Sequence, residues 1–546
     1  MIGPPQRLLW TALAATLAAA TTLVTSGIAG TATASPAVPS AAAAATSGYW
    51  TGTWATAPQQ GGSSFDQQTV RQIVHTSISG TLARIQLSNA FGSTPLTVSD
   101  VHIARAGSGS SITSGTDHPV TFGGSTSVTI PAGDTGISDT VNIAIPALSN
   151  VAISFYLPDA TGASTFHPSA MQTNYIVSGD QSGAASLPSP QTQNNYYFLS
   201  SLDVQNSQSQ GAVVALGASI TDGIASTVNG NDRWTNVLAS RLLAAGDTVG
   251  VLNEGISGNR LLVDGSGQSA RNRFDRDVLG QPGVRWVIFS DDPINDLGST
   301  SPQPTSGQLI TGIKQLITLA HQNGIKFICS TLTPYQGASY WNTSGETARE
   351  AINAFIRGSG SGCDGVIDQD TATHDPAKPT WYLASYDSGD HLHPNNAGYQ
   401  AIGNSVNLGL FTPPNLPVVS LRAHTDDSYV TAEDAGGQPL VANRTAIGGW
   451  EQFDEIDEGN GQIALRAHAN GLIVTADDGG AKPLIANRTV VGAWETLQVI
   501  DNSDGSVSLK ADANGDYVCS ANSGTSLIAN QTAIGTADKF DLVTDS

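Results

Sequence analysis

The sequence predicts a multidomain chain: a β-sandwich of roughly jelly-roll type, then an α/β domain on a parallel sheet, then a β-trefoil. Three observations carry this reading. The hydrophobic period is mostly two from residue 48 to about 210, continuous apolar runs alternate with helical stretches from Gly211, and a motif recurs three times after Pro413-Pro414. At ~150 residues per domain, 546 residues leave room for three or four.

The first residues precede the fold. Arg7 stands before an apolar run over 8–20, and small residues lead into Ala32-Thr33-Ala34. This is the pattern of a secretory leader with an A-x-A-like cleavage site. Residues 1–34 are expected to be a signal peptide and 35–47 an Ala/Pro/Ser linker, so the expected address is extracellular. A membrane anchor would need ~20 apolar residues in a row, and Thr and Gly interrupt this run.

Over 48–205, Val70-Arg71-Gln72-Ile73-Val74-His75, Ala83-Arg84-Ile85-Gln86-Leu87 and Val151-Ala152-Ile153-Ser154-Phe155 read as strands between Gly, Ser, Asn and Asp turns. No long helical pattern intervenes, hence the β-sandwich, with 182–195 expected as a loop at or near its end. The second domain, 206–413, opens on Ala212-Val213-Val214-Ala215-Leu216, a run suited to a strand buried on both faces. Further runs at 249–252, 286–289, 325–332 and 365–367 alternate with helical stretches at 233–245, 307–321, 346–357 and 397–406. That alternation predicts a parallel sheet with helices on both faces, and functional groups in such sheets collect at the carboxyl ends of the strands.

In the third domain, 418–546, Leu440-Val441-Ala442-Asn443-Arg444-Thr445 recurs as Leu484-Ile485-Ala486-Asn487-Arg488-Thr489 and Leu527-Ile528-Ala529-Asn530-Gln531-Thr532. An upstream element repeats as well, from Leu421-Arg422-Ala423-His424 to Leu465-Arg466-Ala467-His468 and Leu509-Lys510-Ala511-Asp512. Three short-stranded repeats match the three-fold axis of a trefoil. The Asn-x-Thr tripeptides also fit a glycosylation acceptor, but recurrence at the repeat spacing favours architecture. Trp450 and Trp494 occupy the same place in two repeats, where core packing is favoured over a sugar-stacking platform.

Composition narrows the function. Lys and Arg total 23 against 45 Asp and Glu, a net charge of −22. Binding to nucleic acid or an anionic membrane needs clustered Lys and Arg, so both are disfavoured. Hydrophobic content of 39% supports ordinary cores. Three cysteines exclude a disulfide framework; Cys329 and Cys363 are a candidate pair that the spacing does not decide.

Four strand-end segments carry candidate chemistry. The first apolar strand runs into Gly217-Ala218-Ser219, which places a serine hydroxyl on a tight turn beside free backbone amides. Asp390-His391-Leu392-His393-Pro394 stands before the last helix of the domain, and Pro394 suits that helix's first turn. A serine needs a base to become a nucleophile, histidine titrates in the right range, and an acid can fix its tautomer. A rival reading makes His391, His393 and Asp390 or Asp387 a metal site. Ile256-Ser257-Gly258 and Pro293-Ile294-Asn295-Asp296 follow the second and third strands. A glycine amide and an asparagine side chain there are suitable donors for an oxyanion, worth roughly 3–4 kcal/mol each.

Taken in chain order, as Gly-x-Ser, Ile-Ser-Gly, x-Ile-Asn-Asp and Asp-x-x-His, the four segments resemble the SGNH (GDSL-type) serine hydrolase family, over about 211–410. The resemblance implies a flavodoxin-like α/β/α fold, an acyl-enzyme mechanism and no cofactor or metal. It implies Ser219 as nucleophile and first oxyanion donor, Gly258 and Asn295 as the remaining oxyanion donors, His393 as base and Asp390 as its orienting acid. The whole chain resembles secreted actinobacterial-type esterases with a front β-sandwich, and the tail a fascin-like rather than a ricin-type trefoil, since Gln-x-Trp is absent. The expected activity is hydrolysis of O-acyl esters, on polysaccharide before lipid or aryl esters, with polysaccharide binding by the trefoil. The alternative is a non-catalytic carbohydrate-binding protein with a degenerate hydrolase domain. Two departures from the family pattern motivate that alternative. Ala218 replaces the usual Asp, with loss of a local hydrogen bond expected, and Pro293 replaces the usual Gly, with a displaced Asn295 as the consequence to look for.

Overall fold

The computed structural model describes residues 50–413, 416–522 and 524–545. The expected leader and linker, 1–34 and 35–47, lie outside the described residues. No helix among the described residues is long and apolar enough to cross a membrane.

The front region is built of antiparallel strands in two main sheets. One orders Trp50–Ala55, Leu199–Gln205, Gly80–Ser88 and Thr135–Ile137, with Val141–Ile145 also on Gly80–Ser88. The other runs from Gln191–Gln193 through Asn174–Ser178, Gln68–His75, Asn150–Leu157 and Leu96–Arg105 to His118–Val120. Period-two alternation turns Ile85, Leu87, Leu202 and Val204 of the first and Val70, Val74, Ile153 and Phe155 of the second into one apolar core. The loop expected over 182–195, at or near the end of the region, holds over 182–190 and is corrected beyond that. A short strand, Gln191–Gln193, lies inside it, and Leu199–Gln205 beyond it is an interior strand of the first sheet.

The middle region is a five-stranded parallel sheet. Its strands are β1 (Gly211–Gly217), β2 (Val249–Gly255), β3 (Val284–Phe289), β4 (Lys326–Ser330) and β5 (Gly365–Ile367), in the order β2-β1-β3-β4-β5. This is the flavodoxin-like order, whose switch point for ligands lies beyond the carboxyl ends of β1 and β3. Every residue of β1 is buried, which explains its uninterrupted apolar run. The helices used below are α1 (Ser219–Asp222), α2 (Trp234–Ala245), α3 (Asp292–Ser299), α4 (Ser306–Gln322), α5 (Thr343–Arg357) and α6 (Asn396–Ser405). α2 packs with α6 and α4 with α5. α4 starts at a capping box, Thr305 with Gln308, and buries Leu309, Ile313, Leu316, Ile317 and Ala320 at helical spacing. Pro394 does not enter the first turn of α6 as expected, because Asn395 caps that helix through the Ala397 and Gly398 amides. Cys329 and Cys363 form a disulfide, and Cys519 is free and buried.

In the tail, six strands close a barrel: Val418–Ala423, Phe453–Gly459, Gln462–Ala467, Leu497–Asp501, Val507–Ala511 and Phe540–Asp545. Each pairs with the next and the last returns to the first. Three hairpins accompany it, at Tyr429–Ala432 with Leu440–Arg444, Ile473–Ala476 with Leu484–Arg488, and Tyr517–Cys519 with Ile528–Gln531. The repeated motif supplies their inward-facing residues, with Leu440, Ala442, Leu484, Ala486, Leu527 and Ala529 all in one core. Each repeat also closes a turn with an acid: Glu451 accepts from the Gly448 amide, Glu495 from Gly492 and Asp538 from Gly535. Between those groups stand Trp450, Trp494 and Ala537, whose carbonyls accept from Ala432, Ala476 and Ser520. The position is thus used through its backbone, which is why Ala serves in the third repeat. Trp450 packs on the core, whereas Trp494 is 41% exposed.

The front and tail regions dock on the middle one at different places. Trp50–Ala55 lies along β2, and the Gly52 amide donates to Pro282. The barrel meets the amino-terminal ends of β3 and β4, with Arg285 paired to Asp454 at 3.5 Å and Arg466 donating to the Asn323 carbonyl.

Candidate active site

The four strand-end segments converge at one edge of the parallel sheet. β1 turns into α1 through Gly217, where a Cβ would stand 2.2 Å from Thr221 Oγ1 and 2.6 Å from Asp291 Oδ1. No side chain fits there. Ser219 is the first residue of α1, and its N-cap, Ala218, has no side chain able to cap. The carboxylate of Asp291, at the end of β3, does that work. It accepts from the Ala218 amide at 3.0 Å, the Ile220 amide at 2.8 Å and Thr221 Oγ1 at 2.8 Å. The missing acid at position 218 is therefore offset by Asp291, a residue that sequence reasoning passed over.

His393 Nε2 lies 2.8 Å from Ser219 Oγ, and its Nδ1 is 2.6 Å from Asp390 Oδ2. Asp390 Oδ1 accepts from the Leu392 and His393 amides, each at 2.9 Å. Partial burial pushes the Asp390 carboxyl up, but the His393 amide, the His393 ring and the Leu392 amide outweigh it and hold the group down at about 2. Asp390 is thus a fixed negative charge at working pH. His391 is directed elsewhere: its Nδ1 pairs with Asp387 Oδ2 at 2.5 Å, and Trp381 packs edge-on against its ring. The two histidines of the rival metal reading therefore face different acids. Among the described residues, no group of three or more His, Cys, Asp or Glu could hold a metal ion.

Gly258 sits at φ +78°, and a Cβ there would meet Ser266 Oγ at 2.7 Å. Among the described residues, neither its amide nor that of Ser219 donates to a protein acceptor. Asn295 follows β3 inside α3 and is nearly buried. Its Nδ2 donates to the Asn259 carbonyl at 2.9 Å, and its Oδ1 accepts from Tyr340 Oη at 3.1 Å. Burial pushes the Tyr340 hydroxyl well up, so it remains a donor and fixes the amide with its nitrogen turned away. One Nδ2 proton is left over. Pro293 does not displace Asn295: it lies in the first turn of α3, where a backbone N–H would have no helical partner. Asp296 ties the same helix to the Gly258 loop by accepting from the Leu261 and Leu262 amides, at 2.6 and 3.2 Å. Tyr340 carried no signal of its own in the sequence, and Asp296 stood in the segment Pro293-Ile294-Asn295-Asp296 without a role.

Beneath the site, Asp292 is fully buried, and both its carboxylate oxygens lack a hydrogen-bond partner. Its nearest cation is Arg273, at 3.8 Å. Burial pushes its pKa up to about 7, with Asp291 and Asp296 adding to the rise and Arg273 opposing it. The unfolded carboxyl titrates near ~3.9. The protonated group therefore stabilises the fold fully below pH ~4, and that contribution is lost as pH rises to about 7. Asp292→Asn should gain Tm over the parent across this window, by roughly 2–4 °C at pH 8. Thermal melts at pH 4 and pH 8 check it; an equal difference at both would refute the assignment.

Residues 215–401 match the family model of the GDSL-like lipase/acylhydrolase family. No curated protein matches the chain. Among solved structures, an acetylxylan esterase from Geobacillus stearothermophilus is 20% identical, covering 37% of this chain and 95% of its own, with a TM-score of 0.30. A GDSL-like lipase from Bacteroides thetaiotaomicron is 18% identical, over 37% and 88%, with a TM-score of 0.29. ThreeFoil, a designed three-fold symmetric protein, is 20% identical over 23% of this chain and 97% of its own, with a TM-score of 0.22. The family match, falling on the sheet whose edge gathers Ser219 and His393, identifies residues 215–401 as a GDSL-like lipase/acylhydrolase domain and the protein as a carboxylic ester hydrolase.

Proposed function

We propose that the protein is a secreted serine esterase that removes O-acyl groups from polysaccharide through an acyl-enzyme. The observation that carries the mechanism is the continuous hydrogen-bonded line Ser219–His393–Asp390. Ser219 Oγ attacks the ester carbonyl and passes its proton to His393 Nε2, while Asp390 holds Nδ1–H and stabilises the imidazolium. The oxyanion is met by the Ser219 and Gly258 amides and the spare Nδ2 proton of Asn295. Collapse expels the alcohol, which takes the proton from His393. Water then attacks the acyl-enzyme with His393 again as base, the free acid leaves, and Ser219 is restored. The intact setting of Asn295, despite Pro293, favours an active enzyme over a degenerate one.

We read the front region as the β-sandwich and the tail as a β-trefoil that holds carbohydrate. The polysaccharide preference is supported by exposed Trp494 on the tail, since an aromatic face suits the apolar face of a pyranose. An ester panel from acetylated xylan to long-chain acyl esters, run beside Ser219→Ala, tests the reaction and ranks substrates. Fastest turnover on long-chain esters would overturn the polysaccharide preference. Trp494→Ala should retain its rate on small soluble esters while losing several-fold in retention on insoluble polysaccharide. A pull-down beside a soluble assay reads both, and unchanged retention on every polysaccharide would remove the tail's assigned role.

A further inference from the structure

Asp222 closes the short helix that Ser219 opens, and its carboxylate faces two ways. Oδ2 accepts from the Ser257 amide at 3.2 Å and from Ser257 Oγ at 2.5 Å. Ser257 immediately precedes Gly258, so Asp222 joins the two turns that carry the free amides. Oδ1 faces His167 Nε2 at 3.2 Å, and His167 belongs to the front β-region. The other ring nitrogen of His167, Nδ1, lies 2.9 Å from the Ala57 carbonyl, also in the front region. Both side chains are buried, at 5% and 1% exposure. A second bridge reaches the same residue independently. Arg233 Nε donates to the Asp222 carbonyl at 2.6 Å, and its Nη2 donates to the carbonyl of Ala170 in the front region.

We infer that His167 is a positioning residue for ester hydrolysis, through which the front β-region holds Asp222 and thereby the spacing of the Ser219 and Gly258 amides. The small cavity beside this joint, about 40 Å³ and lined by His167, Asp222 and Arg233, has room for water and not for a substrate. The contact is therefore mechanical. Without the ring, one carboxylate oxygen loses its protein donor, and Asp222 becomes free to turn away from Ser257. The effect falls on the transition state, where the amides meet a developing oxyanion, more than on ground-state binding. The front region is on this account part of the machinery and not a detachable accessory.

The inference rests on Ser219 as the nucleophile, and the test separates the two. Asn and Gln each replace half of the imidazole: His167→Asn can donate toward Ala57, and His167→Gln can reach Asp222. His167→Asn is expected to lose about tenfold in kcat with KM within about twofold, and His167→Gln to recover most of that loss. Labelling of Ser219 by an organophosphonate, followed by intact mass, should slow in the same order. Ser257→Ala removes the shorter of the two bonds at the other end of the chain and leaves the amide contact, so it should also lower kcat with KM held, whatever happens to the folding of His167→Asn. Parental kcat in His167→Asn or in Ser257→Ala overturns the inference. So does an equal loss in the Asn and Gln variants, which would mean that the ring acts by packing. If Ser219→Ala turns esters over like the parent, the proposed reaction itself falls.

Discussion

Ser219→Ala and His393→Ala should each lower ester turnover by ~10⁴-fold or more, and the double variant should be little worse than either. On the proposed mechanism the two side chains, 2.8 Å apart, act as one nucleophile, so removing either leaves the other without a task. What survives would come from the oxyanion donors and binding alone. Asp390→Asn should cost less, ~10²–10⁴-fold, by a different route. An amide NH₂ in place of Oδ2 would face the Nδ1 proton and drive the ring toward the tautomer with its proton on Nε2, where it can no longer accept from Ser219. The parent Asp390 carboxyl stays ionised down to about pH 2. Loss of rate on mild acidification is therefore not to be assigned to Asp390. Rates on a soluble ester, with circular dichroism to confirm folding, decide the matter. Parental turnover in Ser219→Ala would falsify the mechanism.

Asp291→Ala should be the most damaging change outside that line. One buried carboxylate serves two amides and a hydroxyl of the nucleophile turn. Its removal leaves three buried donors without an acceptor and a helix start without a cap, at a cost of about 3–5 kcal/mol. The turn that aims Ser219 would relax as well, so kcat should fall ~10²-fold in whatever protein folds. Asp291→Asn keeps one acceptor and turns the other into a donor facing a donor, so it should fall between. Denaturant midpoints and kcat measured together check this. A shift under ~1 kcal/mol with parental rate would show that the turn holds itself.

The legible residues in this chain were those whose role is written next to them. Ser219 stands at the end of a buried run between glycines, and the loop of Asp390 and His393 repeats a local hydrogen-bond logic over three positions. The parallel sheet was legible because burial on both faces leaves β1 without a polar position. The triple repeat was legible because each copy supplies the same inward-facing Leu and Ala positions to one core. What stayed hidden depends on partners far along the chain. Asp291 acts on Ala218, Tyr340 on Asn295 and His167 on Asp222, each across dozens of residues. No window of sequence contains both ends of such a contact. The loop expected over 182–195 missed the strand Gln191–Gln193 for a related reason. Its Ser, Gly, Pro and Gln composition spoke for a loop, while strand pairing with Asn174–Ser178 was decided by the neighbour.

The barrel docks where the parallel strands begin, and Ser219 stands where they end. At ~3.3 Å per residue the seven residues of β1 put roughly 23 Å between those edges. That is nearly three times the ~8 Å screening length of physiological salt, so exposed charges on the barrel act only weakly at Ser219. If the tail holds polysaccharide as proposed, it alters reaction rate chiefly through the local concentration of esters within reach. A chain held there need not be released when a product leaves. Turnover on a surface would then proceed as repeated sampling around a fixed mooring, and dilute soluble substrate would gain nothing from it.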